Sequence, residues 1–387
     1  MKSQEIHTRD MKIAVVLEAV FPADKGGLER WFFHLAAGLS DLGHKVHYLN
    51  SSQEDGFRNG VRYRSVTKQK WNYLEGGVRS IRQALHFTYS LCIWFSKEKY
   101  DFVYISSVPL LSIFSIPFIK IKNPKCKVIV EWLEYWPLWY WKSYKGNLVG
   151  SISWLIQLVS LQFGDYRTTF IPRTRKRVQD KNLPFLRSRT LLMPGLVNQD
   201  LQVSNTPKND RQDIVFLGRL VEEKQPLFAI KAISEYIRQG WRGSFWLIGK
   251  GPEELKIQNA ILESGHADQI QLLVDADDEI VKQKLKGSFL LLHPSKREGY
   301  GLVIVEAACL GIPTLLINYP ENGAVDLNVT PELVATESNI ANITDLIEYA
   351  EKNKETLSNA VISWAETALM ERTMTKTIGL ISGLAGK

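Results

Sequence analysis

Cysteine is scarce in this sequence, and so are the other signs of an oxidising environment. Only three of the 387 residues are cysteines: Cys92, Cys126 and Cys309. Their wide spacing and odd number fit neither a disulfide framework nor the spacing of a metal site. The first ten residues are polar and charged, which is unlike a signal peptide. These features predict a cytoplasmic protein.

Long hydrophobic runs are also missing. The best candidate, residues 103–119, contains two prolines and four serines, and it is shorter than the ~20 apolar residues that a membrane span needs. We interpret it as a strand, a turn and a buried helix; a helix partly embedded in a membrane is the alternative. The first glycine loop lacks the Gly-x-Gly-x-x-Gly pattern of a nicotinamide site, so no redox enzyme is predicted.

Negative charge is scarce in the first half of the chain. Residues 1–200 carry 29 Lys and Arg against 16 Asp and Glu, whereas residues 201–387 carry 19 against 25. The overall charge of +7 therefore divides into +13 and −6. This asymmetry predicts an anionic partner for the first half. Because no nucleic-acid-binding motif accompanies it, an anionic membrane surface or a phosphate-bearing acceptor is favoured over nucleic acid.

Short apolar runs alternate with helical patterns along the chain, which predicts an α/β protein with parallel sheets. The first half opens with a strand at 12–17, a glycine loop, a helix at about 28–42 and a strand at 45–50. The second half has strands at 214–217, 245–248, 270–274 and 288–293. A polar linker at 198–213 predicts two domains, 1–200 and 201–362.

Charged glycine or proline loops follow three of the four strands in the second half. They are Gly218-Arg219, Gly249-Lys250-Gly251-Pro252 and the loop from Pro294 to Gly301. Ligands of parallel sheets bind beyond the carboxyl ends of the strands. The convergence of these loops at one edge therefore predicts a ligand cleft.

The stretch from Pro294 to Glu306 has the most distinctive chemistry. Gly299 and Gly301 allow a sharp turn and close approach to a ligand, and the helix predicted to begin at Leu302 offers free N–H groups to a phosphate. Glu298 precedes this helix, and Glu306 lies about 6 Å along it at 1.5 Å per residue. A nucleotide sugar is long enough to contact both carboxylates.

Four motifs of the sequence resemble a known family. Pro-Ser-x-x-Glu-Gly-Tyr-Gly-Leu-x-x-x-Glu-Ala, at 294–307, resembles the Glu-x7-Glu signature of the family 4 retaining glycosyltransferases, which have the GT-B fold. Gly218-Arg219-Leu220 with Lys224 is similar to the diphosphate-binding segment of that family. Gly26-Gly27 with Glu29 is similar to its N-terminal glycine loop, and 249–252 to its third loop. The motifs occur in the family's order between about 12 and 315.

The resemblance implies two Rossmann-like doubly wound domains that face a central cleft, with a final helix at about 363–387 packed on the first domain. It implies a donor nucleotide sugar on the second domain, with Glu298 near the sugar as a nucleophile or as a positioning group. The residues implied to bind the donor are Gly26, Gly27, Gly218, Gly249, Gly251, Gly299, Tyr300, Gly301, Leu302 and Glu306.

Breaking the bond between sugar and diphosphate leaves negative charge on the phosphates, so catalysis without metal needs cations there. Arg219 can bind phosphate oxygens with two parallel hydrogen bonds, and Lys224 acts as a point charge. If Arg219 ends a strand and Lys224 enters a helix, the loop between them brings both to one ligand. We therefore predict no metal and no cofactor. Asp275-Ala276-Asp277-Asp278 is a weaker metal candidate, because it also fits a helix N-terminus.

The sequence departs from the family pattern in the first half. Many relatives have a histidine facing the sugar soon after the strand at 127–131, where this chain has Glu131-Trp132-Leu133-Glu134. Either Glu131, Trp132 or Glu134 takes that place on the acceptor or sugar side, or the aromatic run to Trp141 is a packed loop. Both interpretations remain open at this point.

Together these features predict a retaining, metal-independent hexosyltransferase acting on a lipid-linked or oligosaccharide acceptor in cell-surface polysaccharide or glycoconjugate synthesis. The aromatic run and a basic cluster suggest peripheral attachment to the inner face of an anionic membrane, although such a cluster can equally be a solvated face. The alternatives are a soluble acceptor, a GT-B isomerase or phosphorylase, and an inactive binding homologue. The basic cluster consists of Arg173, Arg175, Lys176 and Arg177.

Overall fold

The computed structural model describes residues 10–23, 26–51, 55–67, 80–194, 203, 211–371 and 374–385. The chain divides into two compact units. The first holds the described residues within Met1–Leu74, Arg79–Asn198 and Arg372–Lys387, and the second holds those within Gln199–Glu371. The predicted boundary at 200–201 and most of the predicted linker at 198–213 lie outside the described residues.

The first unit is built on an eight-stranded sheet. The strand order is β3-β4-β2-β1-β5-β6-β7-β8, and every neighbouring pair is parallel except β3–β4. The strands are β1 (Lys12–Val16), β2 (Lys45–Asn50), β3 (Gly56–Arg58), β4 (Val61–Ser65), β5 (Phe102–Ser106), β6 (Lys127–Glu131), β7 (Tyr166–Thr169) and β8 (Thr190–Leu192).

Helices cover both faces of this sheet, which is why its central strands have continuous apolar sequences. All five residues of β5, for example, are buried. A 3-10 helix at Leu110–Ser115 precedes α3, so residues 103–119 form a strand, a turn and a short helix, as interpreted from the sequence. The helices are α1 (Gly27–Asp41), α2 (Ile81–Lys97), α3 (Ile116–Lys122), α4 (Leu138–Lys145), α5 (Asn147–Ser160), α6 (Pro172–Lys181) and α7 (Pro184–Arg187).

The second unit is built on a six-stranded parallel sheet of order β11-β10-β9-β12-β14-β16. A two-stranded parallel ribbon joins β13 and β15. The strands are β9 (Asp213–Leu217), β10 (Phe245–Ile248), β11 (Ile270–Leu273), β12 (Ser288–His293), β13 (Arg297–Glu298), β14 (Thr314–Ile317), β15 (Glu321–Asn322) and β16 (Val334–Ala335).

Helices again flank the sheet of the second unit on both faces. They are α8 (Pro226–Arg238), α9 (Glu254–Ser264), α10 (Asp278–Gly287), α11 (Leu302–Cys309), α12 (Ile340–Lys352) and α13 (Lys354–Glu371). Among the described residues, no helix combines the length and the apolar character needed to cross a bilayer.

The strand order of the second unit fixes where its ligand edge lies. Strand β9 runs between β10 on one side and β12 on the other, with Val215 opposite Leu291. The chain therefore winds outward from β9 in both directions, which makes the carboxyl ends of β9 and β12 a topological switch point. The loops after these two strands are the ones that the sequence singled out.

The end of the chain differs in detail from the prediction. The sequence placed a single final helix at about 363–387. In the structure, residue 363 lies inside α13 of the second unit, and a separate helix, α14 (Met374–Ala385), belongs to the first unit. The Ile378 side chain of α14 lies against Gly38 of α1, where glycine leaves room for it. Because both segments have helical sequence patterns, the pattern gave no signal for two elements.

Candidate active site

The loops after β9 and β12 are joined by ion pairs, of which the first is largely buried. Lys224 Nζ donates to Glu298 Oε2, and His293 Nε2 lies 3.0 Å from the same oxygen. Because a carboxylate can only accept, His293 is the donor of its bond. All three side chains are largely buried, with Lys224 12% and Glu298 17% exposed. The adjacent strands β9 and β12, with the loops that follow them, thus bring a cation, a carboxylate and an imidazole to one place.

Electrostatics keeps this carboxylate ionised. Burial alone opposes the charge on Glu298, but Lys224 and the bond from His293 outweigh it and hold its pKa well below the usual range. Burial also lowers the pKa of His293, against the opposing effect of Glu298. The arrangement is therefore a cation, an anion and a neutral imidazole with its proton on Nε2. Its Nδ1 is buried and has no partner among the described residues.

A second charge network lies one residue away on each loop. Glu223 Oε1 accepts from Arg297 at 2.5 Å and from Arg219 at 3.4 Å. The backbone follows the same pairing, since Lys296 N donates to the carbonyl of Glu223 at 2.8 Å. In the first loop the acid Glu223 precedes the base Lys224, and in the second loop the base Arg297 precedes the acid Glu298. The ion pairs Glu223–Arg297 and Lys224–Glu298 are therefore neighbours with opposite polarity. The two loops are joined into one rigid surface, from which the 56% exposed side chain of Arg219 extends.

Lys224 does not lie in an α-helix, although the sequence analysis had considered that position for it. It ends a 3-10 turn, Glu222–Lys224, and α8 begins only at Pro226 after Gln225 takes a left-handed conformation. Proline is well suited to the first turn of a helix but disfavours helical geometry in the residue before it. The helix cannot therefore extend back to Lys224, and the turn presents that side chain toward the loop after β12.

Two of the predicted ligand-binding glycines have a packing role. A Cβ on Gly249 would lie 1.9 Å from the carbonyl oxygen of Gly218, and one on Gly251 would lie 2.3 Å from that of Leu220. The two loops run back to back, and Leu220 N donates to Lys250 O at 2.9 Å. Gly218 is different, because nothing lies within 4 Å of its Cβ position. The glycines at 249 and 251 let one loop support the other.

The loop before α11 has the predicted form. Gly301 is the residue before the helix and has a left-handed φ of 86°, which favours glycine. Leu302 begins α11, and Glu306 lies half-exposed on its second turn. Tyr300 is buried, with 2% of its surface exposed, so it packs in the interior beside Gly299. The structure therefore brings the helix start, Glu298 and Lys224 into one part of the second unit.

The far end of α11 is held by a buried arginine. Arg211 donates to the carbonyls of Leu310 at 2.9 Å and Gly311 at 3.3 Å, and Ser358 Oγ donates to Gly311 at 2.7 Å. Burial lowers the pKa of Arg211 to about 10, so the guanidinium stays charged at neutral pH. A cation here also complements the negative end of the helix dipole.

We expect Arg211→Met to lower the free energy of unfolding by about 2–3 kcal/mol, because it removes the charge-assisted bonds to the carbonyls of Leu310 and Gly311, and Ser358 remains as a donor to Gly311 alone. Urea unfolding of the whole chain measures this. Arg238→Met is the matched control: Arg238 is 57% exposed and pairs only with Glu235, so its loss should cost less than about 1 kcal/mol. Equal destabilisation of the two variants would contradict a special role for Arg211.

The first unit holds the other predicted residues. Gly26 is the residue before α1 and Gly27 begins the helix. Glu29 folds back over Gly26, because a Cβ there would lie 1.9 Å from Glu29 Oε2. Any residue other than glycine at 26 would displace this carboxylate. The loop therefore has the compact glycine turn at a helix start that the sequence predicted.

The replacement for the family's histidine is largely internal. Glu131 and Trp132 are each 1% exposed, and neither carboxylate oxygen of Glu131 has a partner among the described residues. Burial raises the pKa of Glu131 to about 8, so this side chain is mostly a neutral acid at pH 7. Glu134 is half-exposed and accepts from Trp136 Nε1 at 2.6 Å. Of the three candidates, only Glu134 reaches the surface.

The acidic loop after β11 is engaged in a different contact. Asp275 accepts from Lys250 at 2.5 Å, and both side chains are exposed. Asp277 precedes α10, as the helix-start interpretation had it. Within the described ranges, no group of three or more His, Cys, Asp or Glu side chains is arranged to hold a metal ion.

Sequence reasoning missed three members of the two charge networks, His293, Glu223 and Arg297. His293 is the last residue of a mostly apolar strand that is buried throughout. A polar side chain at the carboxyl end of a buried strand is a usable signal, because that position adjoins the ligand edge. Glu223 stands in an acidic pair before Lys224, and its bridging role depends on a contact 74 residues away that no local pattern encodes.

Known proteins resemble this chain in part of its sequence and in its fold. Residues 197–364 match the model of a family described as "Glycosyl transferases group 1". The whole chain superposes on sucrose-phosphate synthase from Thermosynechococcus elongatus with a TM-score of 0.75, 15% identity and 98% of each chain covered. It also superposes on Anabaena Alr3699/HepE in complex with UDP-glucose, with a TM-score of 0.70, 13% identity, and 97% and 99% covered.

The fold is GT-B. The predicted α/β class with two Rossmann-like units is thereby confirmed. The sequence likeness is narrower: a 2-deoxystreptamine glucosyltransferase from Streptomyces kanamyceticus is 27% identical over 144 residues, which are 37% of this chain and 37% of that protein. The chain thus spans little more than a third of the curated relative it matches. The residues that match the family model lie mostly in the second unit, which holds the Lys224–Glu298 pair.

Proposed function

We propose that this protein is a retaining glycosyltransferase, which moves a hexose-type sugar from a nucleoside diphosphate to a lipid-linked or glycan acceptor. The observation that carries the proposal is the Lys224–Glu298 ion pair at the switch point of the second unit. It lies within the residues that match the group 1 glycosyltransferase model. One similar structure binds UDP-glucose, which supports a nucleotide sugar as the donor class.

The site's residues suit the charge changes of this reaction. As the bond from the anomeric carbon to the diphosphate breaks, its electrons go to a phosphate oxygen, and the acceptor oxygen bonds to the same face of that carbon. The acceptor's proton passes to the leaving diphosphate. Arg219 and Lys224 stabilise the negative charge that develops there. Glu298, kept ionised, adjoins the sugar, where positive charge develops.

Direct evidence for the donor comes from ligand-dependent stability. A ligand that binds only the folded chain raises its unfolding temperature. A panel of UDP-, GDP- and ADP-sugars therefore identifies the base, and product analysis by NMR gives the anomeric configuration. Release of the nucleoside diphosphate with a retained anomeric bond in the product supports the proposal. Inversion, or binding without turnover on any acceptor offered, would overturn it in favour of another reaction or a binding protein.

We expect transfer without a divalent metal, because cationic side chains already stand where the diphosphate would lie and Asp275 is paired with Lys250. Rates in excess EDTA should equal those of untreated enzyme, measured by direct product detection. A known magnesium-dependent transferase in the same buffer shows that chelation is effective. Loss of activity that Mg²⁺ or Mn²⁺ restores would refute the metal-independent mechanism.

A membrane-bound acceptor is supported by an exposed apolar face in the first unit. Helix α5 presents five apolar side chains at helical spacing, and the most exposed, Leu148, shows 75% of its surface. The segment 138–160 of α4 and α5 contains two lysines, Lys142 and Lys145, and no Asp or Glu. We call this the α4–α5 face; its exposed apolar residues are Trp139, Leu148, Val149, Ile152, Leu155 and Val159.

The face is firmly built from beneath, so its exposure is not a sign of loose packing. Gln157 is buried, accepts from Trp141 Nε1 at 3.1 Å and donates to the carbonyl of Trp136 at 2.8 Å. Gly150 lets α5 approach the backbone of Trp141, since a Cβ would lie 2.4 Å from that carbonyl oxygen. Two aromatic residues of the run, Trp132 and Tyr135, are buried, whereas the apolar residues of the α4–α5 face are exposed in a segment that carries two lysines. That combination suits an anionic membrane–water interface.

The basic cluster of α6 is a weaker membrane candidate than the sequence suggested. Arg175 Nε donates to the carbonyl of Thr190 at 3.3 Å, and Arg177 donates to that of Tyr135 at 3.5 Å. Both side chains are half-buried, and within the cluster only Lys176 is exposed. These arginines tie α6 to neighbouring segments, so we place the membrane contact on the α4–α5 face.

We expect the protein to sediment with vesicles containing anionic phosphatidylglycerol, to bind neutral vesicles weakly, and to dissociate as salt rises. Ile152→Asn/Leu155→Asn should abolish sedimentation while leaving activity on a soluble acceptor unchanged. Leu255→Asn/Leu262→Asn is the matched control, since both leucines are exposed on α9 of the other unit. A concentration-dependent dimer that the first variant abolishes, without vesicle binding, would identify a second copy as the partner instead.

A further inference from the structure

A cavity of about 340 Å³ lies in the first unit, and none of its lining residues belongs to the candidate active site. Its volume is at the lower end of the range for small-molecule sites. It opens between β4, the second strand of the sheet, and the helix α2. Its walls are formed by His47, Asp55, Arg62, Arg64, Ser65, Trp94 and Glu98.

Strand register places the basic residues of this cavity on one face. On β4, Arg62 and Arg64 are two apart, so their side chains leave the same face of the sheet. Their partners on β2 are His47 and Leu49. Leu49 belongs to the same buried cluster as Phe95 of α2, so this is the face that α2 covers. Two guanidiniums and an imidazole therefore converge on the rim that α2 leaves open.

The charges around the cavity are unequally satisfied. Glu98 is held by Lys12 at 2.6 Å, and Asp55 Oδ1 accepts from Ser65 N at 3.1 Å. By contrast, neither Arg62 nor Arg64 forms a hydrogen bond or an ion pair with any residue that the structure describes. Arg64 is half-buried in this state. The acids of the wall already have partners, whereas its two guanidiniums retain all their donors.

A chain of hydrogen bonds holds the ring of His47 in place. Trp94 Nε1 donates to Tyr100 Oη at 2.9 Å, and that hydroxyl lies 2.9 Å from His47 Nδ1. Burial, and then the charges of Lys12, Lys45 and Arg62, lower the pKa of His47 to about 4. The ring is therefore neutral at pH 7.

The Nε2 atom of His47 does not face the open cavity. His47 is 7% exposed, and its Nε2 has almost no accessible surface and no partner among the described residues. His47 therefore forms part of the wall of the cavity, and the two arginines are the groups that can bind a ligand there.

We propose that this cavity binds a phosphate monoester, with its oxygens held by Arg62 and Arg64. Planar guanidiniums match the geometry of phosphate oxygens, and the neutral ring of His47 in the wall adds no competing charge. The site is independent of the proposed sugar transfer, because none of its residues belongs to the second unit.

Calorimetric titration tests the site with inorganic phosphate and with glucose 6-phosphate, at constant ionic strength and without nucleotide sugar. Arg62→Gln/Arg64→Gln should weaken binding at least about tenfold, in line with losing charge-assisted bonds. Arg187→Gln/Arg189→Gln is the matched control, since these two arginines are exposed, equally spaced and in the same unit. Tighter binding of the sugar phosphate than of the free ion identifies a phosphorylated metabolite as the occupant.

Two results would overturn the proposal. One is absence of binding by the wild-type chain, or equal binding by the Arg62/Arg64 variant. The other is loss of binding in Lys224→Gln alone, which would assign the phosphate to the donor site.

Discussion

Replacing Lys224 by methionine should lower kcat/KM by about 10²-fold or more, the effect of removing one preorganised donor from developing charge. Lys224 serves two functions in the proposed reaction. It stabilises charge on the leaving diphosphate, and it is the cation that keeps buried Glu298 ionised. Arg219→Ala should produce a comparable loss of kcat/KM, since Arg219 is the other cation proposed for the diphosphate, without altering the ionisation of Glu298 directly.

The two variants should therefore differ in their pH profiles. In the wild-type chain the pKa of Glu298 is held low, so its ionised form persists to acidic pH. Without Lys224, burial dominates and raises that pKa. The acidic limb of kcat/KM should then move toward neutral pH in Lys224→Met but not in Arg219→Ala.

Lys256→Met is a suitable control for both, because this lysine is exposed in the same unit and pairs only with Glu253 at 3.0 Å. Its kinetics should match those of the wild type. Wild-type rates in Lys224→Met would show that the ion pair is structural. An unmoved acidic limb in that variant would show that ionised Glu298 is not required.

The second large effect concerns the two glutamates. Glu298→Gln should mainly lower kcat, because the carboxylate adjoins the reacting sugar, whereas Glu306→Gln should mainly raise KM, because a ribose contact persists through the reaction. Glutamine is preferred to alanine at 298, because truncation would leave Lys224 buried without its partner. Initial-rate kinetics with varied nucleotide sugar separates the two constants.

Glu332→Gln provides the background for this pair, since Glu332 is an exposed carboxylate in a 3-10 turn of the same unit. It should leave both constants unchanged. If Glu306→Gln lowered kcat and Glu298→Gln raised KM, the donor would lie in the opposite direction along α11. Equal unfolding temperatures for all three variants ensure that the kinetic differences are local.

Much of the fold could be predicted from the sequence, because buried parallel strands appear in it as short apolar runs. Strands at 45–50, 127–131 and 288–293 match the structure residue for residue. The glycine loops after β9, β10 and β12 also marked the ligand edge, since the order of a doubly wound sheet determines which loops meet. Local pattern and global topology agree at these positions.

The features that the sequence did not show share one cause, which is that a sequence pattern does not record what lies across a contact. Gly249 and Gly251 signalled close approach, but the group that approaches is the neighbouring backbone of Gly218 and Leu220. The arginines of α6 looked like a free basic face, yet Arg175 and Arg177 donate to carbonyls. The exposed side of α5 was equally invisible, because its apolar spacing is that of an ordinary core helix.

The ion pairs of the two loops in the candidate active site affect how an anionic ligand can enter. Each carboxylate there has two partners: Glu298 has Lys224 and His293, and Glu223 has Arg219 and Arg297. When an incoming anion attracts Lys224 and Arg219, both carboxylates keep a remaining donor and are not stranded. A buried charge left alone would cost several kcal/mol. Lys224 and Arg219 can therefore turn toward a bound substrate and return to their carboxylates after the product leaves, with little rearrangement of either strand.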